Sequence, residues 1–186
     1  ATVSVLLGNG NGTFQGVQSF ATGTRPFSVA VADVNGDGRP DLVTANLGSN
    51  SVGVLLGNGN GSFAAAQTFT TGGSPISVAV ADLNGDGRLD LVVANFGSNT
   101  VSVLLGNGNG TFQAAQNFTT GSDPVSVEVA DVNRDGKLDI VTANDVSSGT
   151  VSVLLGNGNG TFQAAQNFAT DNMPTSVAVA DVNGDG

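Results

Sequence analysis

Short apolar stretches in this chain are separated by clusters of Gly, Asn, Ser and Pro, and none carries the spacing of an amphipathic helix. "SVAVAD" (28–33), "DLVTAN" (41–46), "SVGVLLG" (51–57) and "FAAAQTF" (63–69) follow one another, each bounded by turn-forming residues. This pattern predicts four successive strands, because β-branched side chains fit a pleated surface and the residues between them favour reversal. Within "SVAVA" the valines face one way and Ser and Ala the other, with no charge on either side. A sheet with one wet face would alternate apolar with polar; sheets stacked face to face would not. The small residues of the first strand suit the crowded inner edge of a radial array. The "NGNG" joint predicts a tight type I′ hairpin turn, since Asn and Gly both tolerate φ > 0.

The four-strand pattern recurs. "LLGNGNG" begins at Leu6, Leu55, Leu104 and Leu154, in steps of 49, 49 and 50 residues. A second marker, an acidic stretch starting at Asp33, Asp82, Asp131 and Asp181, keeps the same steps. A period near 50 without helical patterning predicts propeller blades or a β-solenoid. The expected fold is all-β: β-propeller blades of four-stranded antiparallel sheets. The expected divisions are a partial blade (1–22), three full blades (23–71, 72–120 and 121–170) and a second partial blade (171–186). A β-sandwich is the alternative, although nothing in a sandwich requires a fixed period. Counting strands gives two, then three sets of four, then one. That order predicts an excerpt of a longer protein, four poorly closing blades, or a sheet continued by a neighbouring chain.

The acidic stretch reads D-x-N-x-D-G-x-x-D. In the first copy, Asp33, Asn35, Asp37 and Asp41 supply side-chain oxygens and Arg39 supplies its backbone carbonyl. The second copy has Asp82, Asn84, Asp86, Arg88 and Asp90; the third has Asp131, Asn133, Asp135, Lys137 and Asp139. The fourth shows Asp181, Asn183 and Asp185 and ends at Gly186. Alternate side chains in a tightly curled loop converge on one point, and Gly38 permits the bend. All the donors are hard oxygens, which selects Ca²⁺ over zinc or copper. In the third copy Arg134 stands where the others have glycine, and its side chain is expected to point outward. An EF-hand would need a bidentate Glu at position 12, where this chain has Thr44, Val93 or Thr142, and strands rather than helices flank the loop. All but four of the 15 acidic residues lie in these loops. Carboxylates so close repel by about 1 kcal/mol in water. A divalent cation would convert that repulsion into a cross-link between the first two strands.

"SVAVADVNGDGRPDLVTAN", "VSVLLGNGNGTF" and their copies span the whole chain and resemble the FG-GAP/VCBS-type repeats of integrin-like β-propellers. The resemblance implies that the acidic loop joins the first two strands of each blade and holds Ca²⁺. Composition narrows the function classes. The net charge of −10 argues against nucleic acid and anionic membrane surfaces. With no Cys and no His, disulfides, thiolate metal sites and the commonest general base are absent. No apolar run is long enough to span a bilayer. The expected function is therefore a non-catalytic, extracellular adhesion or structural scaffold for a protein or glycan ligand. A self-assembling fibre or sheath subunit is the alternative, and a glycan-active enzyme the remote one. The acids outside the loops, Asp123, Glu128, Asp145 and Asp171, do not recur between copies. The copies differ most before each first strand, at 23–27, 72–76, 121–125 and 171–175, where a partner surface is expected. Asn11, Asn60, Asn109, Asn117 and Asn159 begin N-glycosylation sequons.

Overall fold

The computed structural model describes residues 1–184. A two-stranded sheet of β1 (Thr2–Val5) and β2 (Gln18–Ala21) is followed by three four-stranded antiparallel sheets. The first contains β3 (Pro26–Ala32), β4 (Asp41–Asn46), β5 (Ser51–Leu55) and β6 (Gln67–Thr70). The second contains β7 (Pro75–Ala81), β8 (Asp90–Asn95), β9 (Thr100–Leu104) and β10 (Gln116–Thr119). The third contains β11 (Pro124–Ala130), β12 (Asp139–Asn144), β13 (Thr150–Leu154) and β14 (Gln166–Ala169). Strand order follows chain order in every sheet, giving three meanders. Ala32 pairs with Asp41, Leu42 with Leu55 and Val54 with Gln67.

The first strands β3, β7 and β11 lie side by side, so the sheets stack like blades of a β-propeller. The apolar character of both strand faces explains the stacking. In β8, Leu91 and Val93 enter the core shared with the preceding sheet, beside Val43 and Val54. Val92 and Ala94 enter the core shared with the following sheet, beside Val127 and Ile140. Each fully buried Val or Leu contributes about 1.5–3 kcal/mol.

Three expectations change. The fourth strand is shorter than "FAAAQTF": Gln67–Thr70 pair with β5, whereas Phe63 makes only an isolated bridge to Gly57. Phe63 leaves the ladder because its ring meets Phe20 of the preceding sheet edge-on, with centroids 5.1 Å apart. The "NGNG" joint is not a type I′ turn. Gly10 and Gly12 take positive φ while Asn9 and Asn11 do not, and the longer loop is closed by Asn9 N–H to the Thr13 carbonyl at 2.9 Å. Finally, "SVAVAD" at 176–181 is in no strand, because it has no ladder partner among the described residues; the N–H of Val177 reaches Ser126 Oγ of β11 at 3.3 Å instead. The step of 50 also finds its place. The turns after β4 and β8 are single 3₁₀ turns at Leu47–Ser49 and Phe96–Ser98, and the extra residue falls in the open turn 145–149.

Candidate metal centre and inter-blade grooves

Each acidic loop leaves the first strand of its blade and returns as the second. Asp33 anchors the curl: Oδ1 accepts from the backbone N–H of Gly36 at 2.8 Å and of Asp37 at 3.1 Å, and Oδ2 accepts from Gly38 at 2.7 Å. The N–H of Asp37 also reaches Asn35 Oδ1 at 3.0 Å, so one donor draws two side-chain oxygens to the same side of the loop. Gly38, at φ 80°, makes the return possible at no steric cost. The backbone donors, Gly38 foremost and opposed by burial, hold the Asp33 carboxyl below its usual range. For Asp131 burial pulls upward, but the N–H groups of Gly136, Asp135, Arg134 and Asn133 together outweigh it and the pKa falls.

Asp41 plays a different part. It is fully buried, and its carboxylate bridges the N–H of Val34 (3.0 Å) and the N–H of Gly57 (2.7 Å). The acidic loop is thereby tied to the hairpin that follows β5. Asp90 repeats the bridge to Leu83 and Gly106, and Asp139 to Val132 and Gly156. The glycine is required here because a Cβ at Gly57 would strike the carbonyl oxygen of Pro40. Burial pushes the Asp41 and Asp90 carboxyls up, against the pull of these N–H donors. Sequence reasoning missed Gly57, Gly106 and Gly156 as partners of the ninth-position acid; their only signal is the recurrence of "LLG" with its glycine 16 or 17 residues after the ninth-position aspartate of each complete loop.

The donors fit a hard cation in chemistry: oxygens only, three carboxylates per complete loop, and a backbone already curled around them. Asn35 Nδ2 donates to Asp37 Oδ2 at 3.0 Å, and Arg39 lies 3.9 Å from the same oxygen. Among the described residues no three acidic side chains converge closely enough to enclose an ion. Carboxylate oxygens that accept one N–H keep a second acceptor direction. The second and third loops repeat the arrangement, with Asn84 Oδ1 and Asn133 Oδ1 accepting from Asp86 and Asp135. Arg88 and Lys137 lie near Asp86 and Asp135, as Arg39 does near Asp37. Arg134 is exposed, as expected of an outward side chain, but takes a left-handed φ of 61° that glycine adopts in the sister loops. In the fourth copy Gly184 N–H reaches Asp181 Oδ1 at 2.8 Å, Asn183 is exposed, and Asp185 lies outside the described residues.

Consecutive blades leave grooves of about 430–450 Å³ between them. One is walled by Phe69 and Phe112, with Thr70, Gln113 and Asn117 supplying polar groups. At the end of each first strand away from its acidic loop, the variable loops hold Arg25, Ser74, Asp123 and Met173 at φ 51–54°, each directly before a proline. The turn is fixed by backbone bonds, Leu47 N–H to the Arg25 carbonyl (3.0 Å) and Gly48 N–H to the Thr24 carbonyl (2.9 Å). Glu128 sits exposed on β11. No helix among the described residues is long and apolar enough to cross a membrane.

A family model described as an FG-GAP-like repeat matches residues 1–44, 33–93, 82–142 and 134–186. No curated protein matches the chain significantly. Among solved structures, the chain is similar to an Agrocybe aegerita lectin that recognises non-reducing terminal N-acetylglucosamine. The TM-score is 0.57 at 25% identity, over 89% of this chain and 46% of the lectin. It is also similar in fold to BBS1N from a complex with ARL6DN, with a TM-score of 0.54 and 15% identity over 87% of this chain and 48% of that one. The chain therefore spans less than half the length of the structures it matches.

Proposed function

Because the chain belongs to the FG-GAP-like repeat family, we propose that it is a non-catalytic binding scaffold whose blades are fastened by calcium outside the cell. The observation that carries this reading is the threefold recurrence of one loop geometry, with a buried aspartate tying each loop to its neighbouring hairpin. Calcium would be held by Asp33, Asn35, Asp37 and Asp41 and their counterparts, after rotation of the Asn35 and Asp37 side chains. A bound ion supplies charge neutralisation and a cross-link between loop strands. The chain's own part is to present oxygens, hold Asp33 in place through backbone donors and couple the loop to the next turn through Asp41. Sites made of neutral and carboxylate oxygens in this way suit abundant extracellular calcium.

The ligand class best supported is a glycan. The inter-blade grooves combine an aromatic wall with amide and hydroxyl groups, the mixture that a sugar ring with one apolar face requires. The likeness to a lectin for terminal N-acetylglucosamine supports the same class. Calorimetry with terminal N-acetylglucosamine oligosaccharides, in calcium and in chelator, tests both parts. The expected result is weak multivalent binding and a melting temperature that falls in chelator and returns with calcium. An unchanged melting curve removes the calcium role; an absence of binding to an oligosaccharide panel removes the glycan role.

A specific observation also favours self-association or continuation into further repeats. Val29 is 50% exposed on β3, while its counterparts Val78 and Val127 are 9% and 4% exposed beneath the preceding blade. Light scattering across a concentration series distinguishes a self-associating chain from a monomeric one.

A further inference from the structure

We propose that Asn11, Asn60, Asn109 and Asn159, the second asparagine of each "NGNG" tip, are sites of spontaneous conversion to aspartate and isoaspartate. Chain neighbours alone do not single them out, because most asparagines of the tips and acidic loops precede glycine. The structure separates three classes. At Asn11 the side-chain oxygen accepts two bonds from Thr13, the N–H at 3.1 Å and the Oγ1–H at 2.7 Å. The pair recurs on Asn60 from Ser62 (3.0 and 2.7 Å), on Asn109 from Thr111 (3.0 and 2.6 Å) and on Asn159 from Thr161 (3.0 and 2.7 Å). Two donors on one amide oxygen polarise Cγ and are placed where negative charge develops when a nucleophile adds there. Neither Nδ2 of these asparagines nor the N–H of the following glycine has a hydrogen-bond partner among the described residues. The leaving group and the nucleophile are both free.

Other asparagines before glycine lack one of these conditions. Asn9, Asn58, Asn107 and Asn157 spend Nδ2 on the same hydroxyl, at 2.8–2.9 Å, and no donor polarises their side-chain oxygen. At Asn35 and Asn84 the following glycine N–H is held by Asp33 or Asp82 at 2.8 Å, and that carboxylate opposes the anion that attack would create. The chemistry balances without a co-reactant other than water. The Gly12 amide nitrogen gives its proton to solvent hydroxide and bonds to Asn11 Cγ. The oxyanion on Oδ1 is held by Thr13. The Cγ–Nδ2 bond then breaks, and the nitrogen departs with the electron pair, takes a proton from water and leaves as ammonia. Water opens the resulting five-membered imide at either carbonyl, which yields aspartate or isoaspartate and one added negative charge. Among the tips, Gly12 is open to solvent, whereas Gly61, Gly110 and Gly160 lie beneath Leu7, Leu56 and Leu105. Asn11 is therefore the fastest site.

Peptide mapping by mass spectrometry tests this on the full chain, produced without N-glycosylation and aged at mildly alkaline pH. The expected order is Asn11 first, the other three tip sites next, and the Asn9 and Asn35 classes last. Thr13→Val is expected to slow Asn11 about three- to tenfold, the change equivalent to one ordinary hydrogen bond, while Asn60 in the same molecule keeps its rate. The variant also releases Asn9 Nδ2 and narrows the gap between the two asparagines. A rise at Asn60 would reveal unfolding, and Ser62→Ala, with Asn11 as reference, then makes the same comparison. Equal loss at all sites, faster loss at Asn9 than at Asn11, or an undiminished rate in the hydroxyl-free variants overturns the proposal.

Discussion

Three equivalent asparagines, Asn46, Asn95 and Asn144, are fully buried at the ends of the second strands, yet only one of them is fully partnered. Asn144 Nδ2 donates to Ser152 Oγ at 2.8 Å, and its oxygen accepts from Thr142 Oγ1 at 3.0 Å. Asn95 keeps the serine, with Nδ2 to Ser102 Oγ at 2.8 Å, but Val93 stands where Thr142 stands, and Asn95 Oδ1 has no partner. Asn46 keeps Thr44, at 3.2 Å, but Gly53 replaces the serine, and Asn46 Nδ2 has no partner. A buried polar atom left unsatisfied costs about 1–3 kcal/mol. Gly53→Ser is therefore expected to stabilise the protein by about 1 kcal/mol, and Val93→Thr to do the same. A Cβ added at Gly53 would lie 2.9 Å from the Thr44 hydroxyl and 3.2 Å from Asn46 Nδ2, both side-chain atoms that can give way. The third blade accommodates the same Thr–Ser pair at Thr142 and Ser152. Urea unfolding of the single and double variants checks this; a loss of stability in Gly53→Ser would show that the third-blade geometry does not transfer.

At the scale of the element, the acidic loop and the hairpin behave as one unit through the ninth-position aspartate. Its titration has a definite sign. A carboxyl whose folded pKa lies above its unfolded one binds more protons in the native state. The contribution of Asp90 is thus full below the usual value of 3.8 and is lost as pH rises through the raised value. Asp33, held low by its backbone donors, works the other way: its contribution is present above 3.8 and lost as pH falls through the lowered value. In calcium-free buffer, the stability deficit of Asp90→Asn relative to the parent is expected to be largest at acid pH and to shrink as pH rises. A gap that widens with pH in denaturant titrations would reverse the assignment. Much of this unit was legible in the sequence: the period, the place of the acidic loop between the first two strands and the second strand itself lie where spacing put them. The link from Asp41 to Gly57 was not, because it joins residues whose closeness depends on the register of β4 against β5. The fourth strand was over-read for a similar reason. "FAAAQTF" has strand composition, but Phe63 is drawn out of the ladder by a ring in the neighbouring sheet, which no local pattern encodes.

At the scale of the whole molecule, stability resides largely in contacts between neighbouring sheets, as in other repeat architectures. Edge-on phenylalanine pairs mark each junction: Phe20 with Phe63, Phe69 with Phe112, and Phe118 with Phe162, at 5.1–5.4 Å. Phe112→Ala removes a buried ring from the junction between the first two full sheets and is expected to cost about 3 kcal/mol. Phe14, the equivalent residue of the two-stranded sheet, is 64% exposed, and its replacement is expected to change stability by less than about 0.5 kcal/mol. Equal effects of the two in chemical denaturation would mean that the junctions do not govern the fold. The variable loops point to a different property. Arg25, Ser74, Asp123 and Met173 share a backbone shape that disfavours any side chain, and glycine occupies none of these four places. Main-chain bonds hold that shape together with neighbouring side chains, Asn50 Oδ1 accepting from the N–H of Ser74 and Asn99 Oδ1 from that of Asp123. The side chains of the four residues themselves take no part, so cationic, hydroxylic, anionic and thioether groups stand on interchangeable pedestals. The chemistry displayed there can be changed one residue at a time while the architecture beneath stays as it is.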